Sequence, residues 1–358
     1  MIGIEVQLKR REKELPYSSI IVPVVSISFS LLVAGLVLLL LGKSPIELYY
    51  SIYRALISLG TAKYMIPLLL CGVGLSIAFR ANVWNIGAEG QILLGAIVST
   101  GMALYMLPEN LNPFISLIIL YACSFLFGAF WAFIPAVLKA KLGVNEVLST
   151  LMLNYIAAQL VNYLVYGPWK GLREYGYPRS DIIPRTFWAP TIPKTGIHIS
   201  TLALGLAIAV LAYILLYRTK LGFEIRVVGE NINAARYAGI SISKVIIIAM
   251  IISGGLAGIA GAGEIIGVHH QLIRAERLSA GYGYTAIIVA WLAKLNPIIA
   301  IPSAFLIAGL VSASYTLQIS LGIGYGAVNV LTGLILASLI TLDFMSKYSL
   351  KLRIRWKT

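Results

Sequence analysis

Residues 113–138 read PFISLIILYACSFLFGAFWAFIPAVL, and this stretch contains no acidic or basic side chain. A helix needs about 20 apolar residues to cross the hydrocarbon core of a bilayer. The stretch is long enough for one crossing, and comparable apolar runs lie on both sides of it. It therefore predicts a transmembrane helix within a chain that crosses the membrane several times.

The composition of the whole chain agrees with this. Hydrophobic residues make up 59% of the 358 residues, charged residues make up 12%, and the mean hydropathy is +0.88. Soluble domains carry about 25% charged residues. Because so few charges could not keep a globular surface wet, we predict an all-α, polytopic integral membrane protein.

Hydropathy predicts about ten transmembrane helices. They cover residues 19–41, 64–80, 90–107, 113–138, 146–166, 199–217, 244–266, 281–294, 297–319 and 325–343. The first is too long for a signal peptide and has no convincing small-residue cleavage site after it, so we expect it to be retained. The eighth is short, which predicts a broken or half-depth helix surrounded by protein or by a wet cavity.

The distribution of basic residues predicts the orientation. The net charge is +14, and most of the 28 Lys and Arg residues fall in loops on one side if both termini are cytoplasmic. This topology favours a membrane protein over a nucleic-acid-binding protein. It divides the chain as follows: a cytoplasmic N-terminal tail at 1–18, a transmembrane domain at 19–343 with an extracytoplasmic loop at 167–198 and a cytoplasmic loop at 218–243, and a basic cytoplasmic tail at 344–358.

Two blocks of four predicted spans, 64–166 and 244–343, have nearly equal length. Span six separates them, so their topologies are inverted, as in many transporters with a site near the membrane midplane. A polar break follows the first span of each block, at 82–91 and at 269–284. We therefore predict inverted-repeat halves.

The first polar break contains Asn82, Trp84, Asn85, Glu89 and Gln91. Amides and carboxylates exchange hydrogen bonds with hydroxyl groups and base edges, and an indole offers a flat surface for stacking. These side chains are candidates for the substrate pathway. The alternative is a structural turn that re-enters the membrane, with the carboxylate near a helix N-terminus.

Two further polar side chains lie within predicted spans. Asn154 lies deep in the fifth span and is a pathway candidate, whereas Glu146 is better explained as a carboxylate at a helix start. Glu264 lies at the outer end of the seventh span, where an acidic group is either a functional site or the ion-pair partner of Arg274 or Arg277.

The cytoplasmic loop contains a segment from Gly229 to Ile240 that predicts a short helix. Asn231 or Asn233 can cap its start and Gly239 can end it. A short helix in a loop can dock into the groove of a partner, although a plain basic surface loop is the alternative. The candidate coupling residues are Gly229, Asn231, Ala235, Arg236, Tyr237 and Gly239.

Sites for nucleotides and metals are not predicted on this chain. The triplet Gly42-Lys43-Ser44 resembles the end of a phosphate-binding loop, but Val37 occupies the position where that loop needs glycine. The two cysteines and three histidines do not have the spacing of metal ligands. Any ATP and Mg²⁺ must therefore be bound by another chain, and no cofactor is expected here.

Several segments together resemble the permease subunits of nucleoside importers of the ABC class, which are related to simple-sugar and branched-chain amino-acid permeases. The segments are 82–91, 143–147 with 151–155, 167–170, 229–240, 254–258 and 281–287. They run in family order over about 80% of the chain. Lys170-Gly171-Leu172-Arg173 departs from the family pattern, which leaves the detail of the outer loop open.

The resemblance implies a permease that alternates between outward-open and inward-open states. It also implies a second permease, similar or identical, and a cytoplasmic ATPase with two nucleotide-binding modules that receives the 229–240 helix. An extracytoplasmic solute-binding lipoprotein would deliver the solute, and the complex would lie in the cell membrane. Simple sugars or branched-chain amino acids are alternative solutes, and an ion-coupled secondary transporter is an alternative class.

Overall fold

The computed structural model divides the chain into two units, residues 1–54 with 313–358 and residues 55–312. The described residues are 2–10, 18–40, 42–172, 176–321, 330, 333–334, 337–338, 341–342, 345 and 348–356. The structure is mainly helical, as predicted. The helices are α1 (Ser18–Leu40), α2 (Pro45–Ile57), α3 (Ala62–Arg80), α4 (Ala88–Gly101), α5 (Pro113–Leu142), α6 (Glu146–Tyr166), α7 (Ile199–Arg218), α8 (Lys220–Glu230), α9 (Ile232–Tyr237), α10 (Ile242–Glu264), α11 (Ala275–Leu278), α12 (Tyr282–Leu292) and α13 (Ala300–Leu321).

Local sequence signals set the ends of the long helices. The side chain of Asn112 accepts a hydrogen bond from the backbone N–H of Phe114 at the start of α5, which ends before Gly143 at a φ of 68°. Asn145 caps α6 in the same way, accepting from the N–H groups of Val147 and Leu148. These are the residue types that favour helix starts and stops, so both boundaries follow from local chemistry.

Five helical stretches in the described part of the chain are long and apolar enough to cross a membrane. They are Leu59–Arg80, Pro113–Leu142, Glu146–Tyr166, Ile199–Arg218 and Ile242–His269. The first nine predicted spans each coincide with a helix, and the tenth, 325–343, lies largely outside the described residues. The total of ten spans and the orientation of the termini remain predictions.

Close backbone contacts join the central helices of the second unit. α10 packs against α3, α4 and α5. A Cβ atom at Gly258 would overlap the backbone of Ser124 in α5, and one at Gly95 in α4 would overlap Gly258 itself. The small-residue face of α10, which includes Gly254 and Gly258, is therefore a packing surface, because small residues let helix backbones approach closely in a membrane.

Several elements were not predicted from the sequence, among them α2, the terminal strands and a short hairpin. α2 was missed because its polar residues interrupt the apolar run that signals a span. The terminal segments form strands, β1 (Ile2–Arg10) and β4 (Tyr348–Trp356), which pair antiparallel in the first unit, with Ile2 opposite Trp356. Pairing between opposite ends of a chain leaves no local signal. A shorter hairpin, β2 (Thr191–Ile192) with β3 (Ile197–His198), precedes α7.

Candidate functional site

Two short non-helical breaks between helices interrupt the helical core of the second unit, and the backbone is continuous through both. The first follows α3, where Asn82 has a left-handed φ of 57°, and the chain becomes helical again at α4. The second follows a π-helical turn, Ile265–His269, where His270 has a φ of 54°. After it the chain becomes helical again at α11 and α12. Both breaks coincide with the polar stretches expected from the sequence.

Asn85 ties the first break to α10. Its amide nitrogen donates to Oε1 of Gln91 at 3.0 Å and to Oγ of Ser253 at 2.9 Å. Its amide oxygen accepts from Nε2 of Gln91 at 3.0 Å and from the N–H of Gly87 at 3.1 Å. The two amides thus form a reciprocal pair, and both side chains are buried. Satisfied buried amides hold a unique local structure.

Glu89 binds the beginning of α12. Its carboxylate accepts hydrogen bonds from the N–H of Gly281 at 3.2 Å and from the N–H of Gly283 at 2.8 Å. A Cβ atom at Gly283 would overlap the backbone of Glu89, so the first turns of α4 and α12 are in direct contact. The N-termini of two helices meet there, and a carboxylate between them offsets their partial positive charges.

Asn154 attaches α6 to this junction. Its amide nitrogen donates to the carbonyl of Ile86 at 2.9 Å and to the hydroxyl of Tyr284 at 3.1 Å, and its oxygen accepts from the N–H of Gly90 at 2.8 Å. Asn154 lies eight residues after Glu146, the first residue of α6, which is about 12 Å along the helix. The junction is therefore well inside the span.

Four of the proposed pathway residues, Asn85, Glu89, Gln91 and Asn154, are thus buried in internal hydrogen bonds. This geometry agrees with the structural alternative weighed for the first polar break, and substrate contact by these side chains remains a prediction. Ser253, Gly283 and Tyr284 were not singled out as site residues. Segment 281–287 is one of those that resemble the permease family, and its glycines are the feature of the sequence that could have indicated a close contact between helices there.

Trp84 and Asn82 are exposed, unlike their neighbours. The Trp84 ring lies 5.3 Å from the ring of Phe79 and 5.7 Å from that of Trp291, between ring centroids, and the indole is 37% exposed. Such a cluster offers one open aromatic face, which can stack on a flat ligand. Trp84 and Asn82 thus remain accessible, and contact of either side chain with a solute remains a prediction.

Glu264 lies in a buried cluster at the end of α10. Its carboxylate is 3.7 Å from Nε2 of His269. Among the described residues, its carboxylate forms no ion pair with Arg274 or Arg277, the two partners expected from the sequence. The ring of His198 packs against Gly263 and Gly267, which lie one helical turn apart.

Burial, with a smaller contribution from the neighbouring His270, lowers the pKa of His198 to about 4. Among the described residues, the ring nitrogens of His198 have no hydrogen-bond partner. No group of three or more His, Cys, Asp or Glu in the described part of the chain could hold a metal ion. The cluster is therefore one of close packing around a neutral imidazole.

The segment predicted to couple to a partner is helical. Asn231 caps α9 by accepting from the N–H groups of Asn233 and Ala234 at 2.9 and 3.1 Å, and Gly239 follows the helix at a φ of 70°. Ala235 is buried, whereas Tyr237 is 95% exposed. The cap and the stop are those predicted, and the helix presents a large apolar side chain to the outside.

α8 connects this segment to the core. A Cβ atom at Gly229 would overlap the carbonyl of Arg80, the last residue of α3. The Arg80 guanidinium donates to the hydroxyl of Tyr217 at 2.9 Å, and Arg226 lies over the same ring at 5.3 Å. A displacement of α8 and α9 would therefore also move the end of α3, directly before the first break.

A family model described as the permease component of the branched-chain amino acid transport system matches residues 57–342. The chain belongs to this permease family. It is an integral membrane component of a transport system that includes other subunits, and it is a transport component rather than an enzyme. The resemblance to nucleoside and sugar permeases is confirmed by the relatives.

The permease is similar to three ABC transporter permeases. It is 30% identical to a glucose permease of Haloferax volcanii, over 97% of this chain and 94% of the relative. It is 31% identical to a nucleoside permease of Lactococcus lactis, over 78% of this chain and 79% of the relative. It is also 31% identical to a guanosine permease of Bacillus subtilis, over 89% of this chain and 92% of the relative. No solved structure matches the chain.

Proposed function

We propose that this permease moves nucleosides across the cell membrane as the membrane-spanning subunit of an ATP-driven importer. The observation that carries the proposal is the junction between α4 and α12. Transporters that work by alternating access place their sites near the midplane, where interrupted helices expose helix ends. Here the N-termini of α4 and α12 meet about 12 Å into the span, at the level of Asn154.

The exposed ring of Trp84 favours a flat solute. Nucleosides carry both a base that can stack and hydroxyl groups that accept and donate hydrogen bonds. Two of the similar permeases are named for guanosine or nucleosides. A simple sugar is the second candidate, because the similar permease of Haloferax volcanii is named for glucose.

The other subunits follow from the same proposal. The α9 helix, with Tyr237 exposed, is the segment expected to dock into a cytoplasmic ATPase with two nucleotide-binding modules. ATP and Mg²⁺ would be bound there and not by this chain. A second permease would complete the route, and an extracytoplasmic solute-binding lipoprotein would deliver the solute. Solute binding in the route would be weak, because a ligand shifts a conformational equilibrium only through its differential affinity for the two states.

Uptake of labelled uridine tests the proposal. The permease is placed in vesicles with its ATPase and delivery partners, and unlabelled adenosine, ribose or leucine is added as competitor. Competition by adenosine alone supports a nucleoside importer. Competition by ribose alone would move the solute to simple sugars, and ATP-independent uptake that stops when ion gradients are collapsed would contradict the ATP-driven class.

A further inference from the structure

One face of α6 carries hydroxyl and amide groups that point away from the protein. Tyr155 is 62% exposed, Tyr163 is 67% exposed, and Gln159 between them is also exposed. Residues four apart lie on the same face of a helix. The three side chains therefore form one strip along the outward side of α6.

The depth of this strip argues against an ordinary lipid-facing surface. Tyr155 and Gln159 lie nine and 13 residues after Glu146, or about 14 and 20 Å along a helix that crosses a core of about 30 Å. A primary amide in hydrocarbon is costly because it loses its hydrogen bonds to water. The adjacent outward residues of α6, Ile156 and Leu160, are apolar, so the polar groups are confined to one strip.

The strip continues onto α11 and α12. The Tyr284 hydroxyl accepts from the amide of Asn154, the residue before Tyr155, at 3.1 Å, and the Tyr284 side chain is 40% exposed. Towards the other end, the Asn162 amide donates to Glu276 at 3.4 Å and accepts from the N–H of Ala275 at 3.3 Å. Polar groups thus extend from α11 to the junction of the α4 and α12 N-termini.

We propose that this strip lines the water-filled solute route and that Gln159 contacts the solute directly. The strip comprises Tyr155, Gln159, Asn162, Tyr163, Glu276 and Tyr284. Its rings can stack on a flat group, and its amides, hydroxyls and carboxylate can bind hydroxyl groups, so it fits a neutral solute with a ring and several hydroxyls. The inference rests on the proposed transport function and names residues that determine solute selectivity.

Cysteine labelling tests whether the strip is wet. Gln159→Cys is made in a permease with Cys71→Ala and Cys123→Ser, assembled with its partners in vesicles, and exposed to a charged, membrane-impermeant thiol reagent. Leu211→Cys is the matched control, because Leu211 lies near mid-span on α7 and is 62% exposed. We expect Gln159→Cys to react and Leu211→Cys to remain unlabelled.

Two outcomes would overturn the proposal. If both cysteines stay unlabelled and brominated lipid quenches a fluorophore at position 159, the strip faces lipid. If Gln159→Cys stays unlabelled and forms a crosslink to a second permease, the strip is a dry interface between subunits. Neither result depends on the identity of the solute, so uridine uptake by the unsubstituted permease would still stand as a separate test of the proposed function.

Transport by a second pair of variants tests direct solute contact. Gln159→Leu removes one hydrogen-bonding amide, and we expect the KM for uridine to rise about fivefold to tenfold while the ATPase rate of the complex is retained. Gln159→Asn keeps the amide and should restore part of the affinity. An unchanged KM in Gln159→Leu would contradict solute contact at this position.

Discussion

The carboxylate of Glu89, in the first turn of α4, accepts a hydrogen bond at 2.8 Å from the backbone N–H of Gly283, in the first turn of α12. This bond joins residues 194 positions apart and brings two helix N-termini together. Each terminus carries a partial positive charge, so the pair would repel without an anion between them. Glu89 is therefore the group that permits the junction.

Replacing Glu89 tests this role. We expect Glu89→Ala to lower the free energy of unfolding by about 1.5–3 kcal/mol, since it leaves the N–H groups of Gly281 and Gly283 without their charged acceptor. Glu89→Gln keeps one acceptor oxygen and should lose less. Thermal unfolding in detergent measures both, with Glu109→Gln, on an exposed turn, as the control. Equal stability of Glu89→Ala and the unsubstituted permease would refute the role.

The contact between the first turns of α4 and α12 predicts that Gly283→Ala will impair both folding and transport. A methyl group there would overlap the backbone of Ala88 and Glu89, which cannot move as a flexible side chain can. We expect separation of α12 from α4, with loss of uptake and a lower yield of monodisperse permease. Gly60→Ala is the control, because its nearest neighbour would be at an ordinary 3.5 Å. Wild-type uptake by Gly283→Ala would show that the junction tolerates separation.

The α9 helix predicts a charge-sensitive contact with the ATPase. We expect Arg236→Glu to leave the permease folded but to reduce co-purification of the ATPase, because the substitution reverses the charge at the proposed docking site. Tyr237→Ala should act in the same direction, since Tyr237 is 95% exposed and has a large apolar surface to bury. Arg218→Glu, outside α9, is the comparison variant. Undiminished recovery of the ATPase with Arg236→Glu would count against docking at α9.

The buried imidazole of His198 predicts a dependence of stability on pH. Its pKa is lowered in the folded protein, so the unfolded chain binds more protons below the ordinary value of 6.5. Stability should therefore fall as the pH drops from 6.5 towards 4, by at most about 1.4 kcal/mol per pH unit from this group. Unfolding temperatures measured across that range should show a smaller decline for His198→Gln. An identical decline in both proteins would assign the effect to other groups.

The membrane class and the local boundaries of the helices could be predicted from the sequence. Span 146–166 coincides with α6, and the cap at Asn231 and the stop at Gly239 are those expected. These features depend on hydropathy and on hydrogen bonds between residues two or three apart. Such signals are present in any short window of the chain.

The roles of the polar side chains were decided by tertiary structure. Asn85, Glu89 and Asn154 were selected from the sequence as pathway candidates, yet their hydrogen bonds join residues 168, 194 and 64 positions apart. No local pattern distinguishes an amide that will be satisfied inside the protein from one that will face a cavity.

Hydropathy and capping are local properties, so the sequence by itself predicted a multi-span membrane protein with a short helix in a loop, and its resemblance to ABC permeases predicted the transport class. Only the tertiary structure decided that the N-termini of α4 and α12 meet at Glu89 and that Tyr155 and Gln159 face outward. The direction of a side chain in a membrane helix depends on which neighbours cover it, and that is set by packing between distant segments.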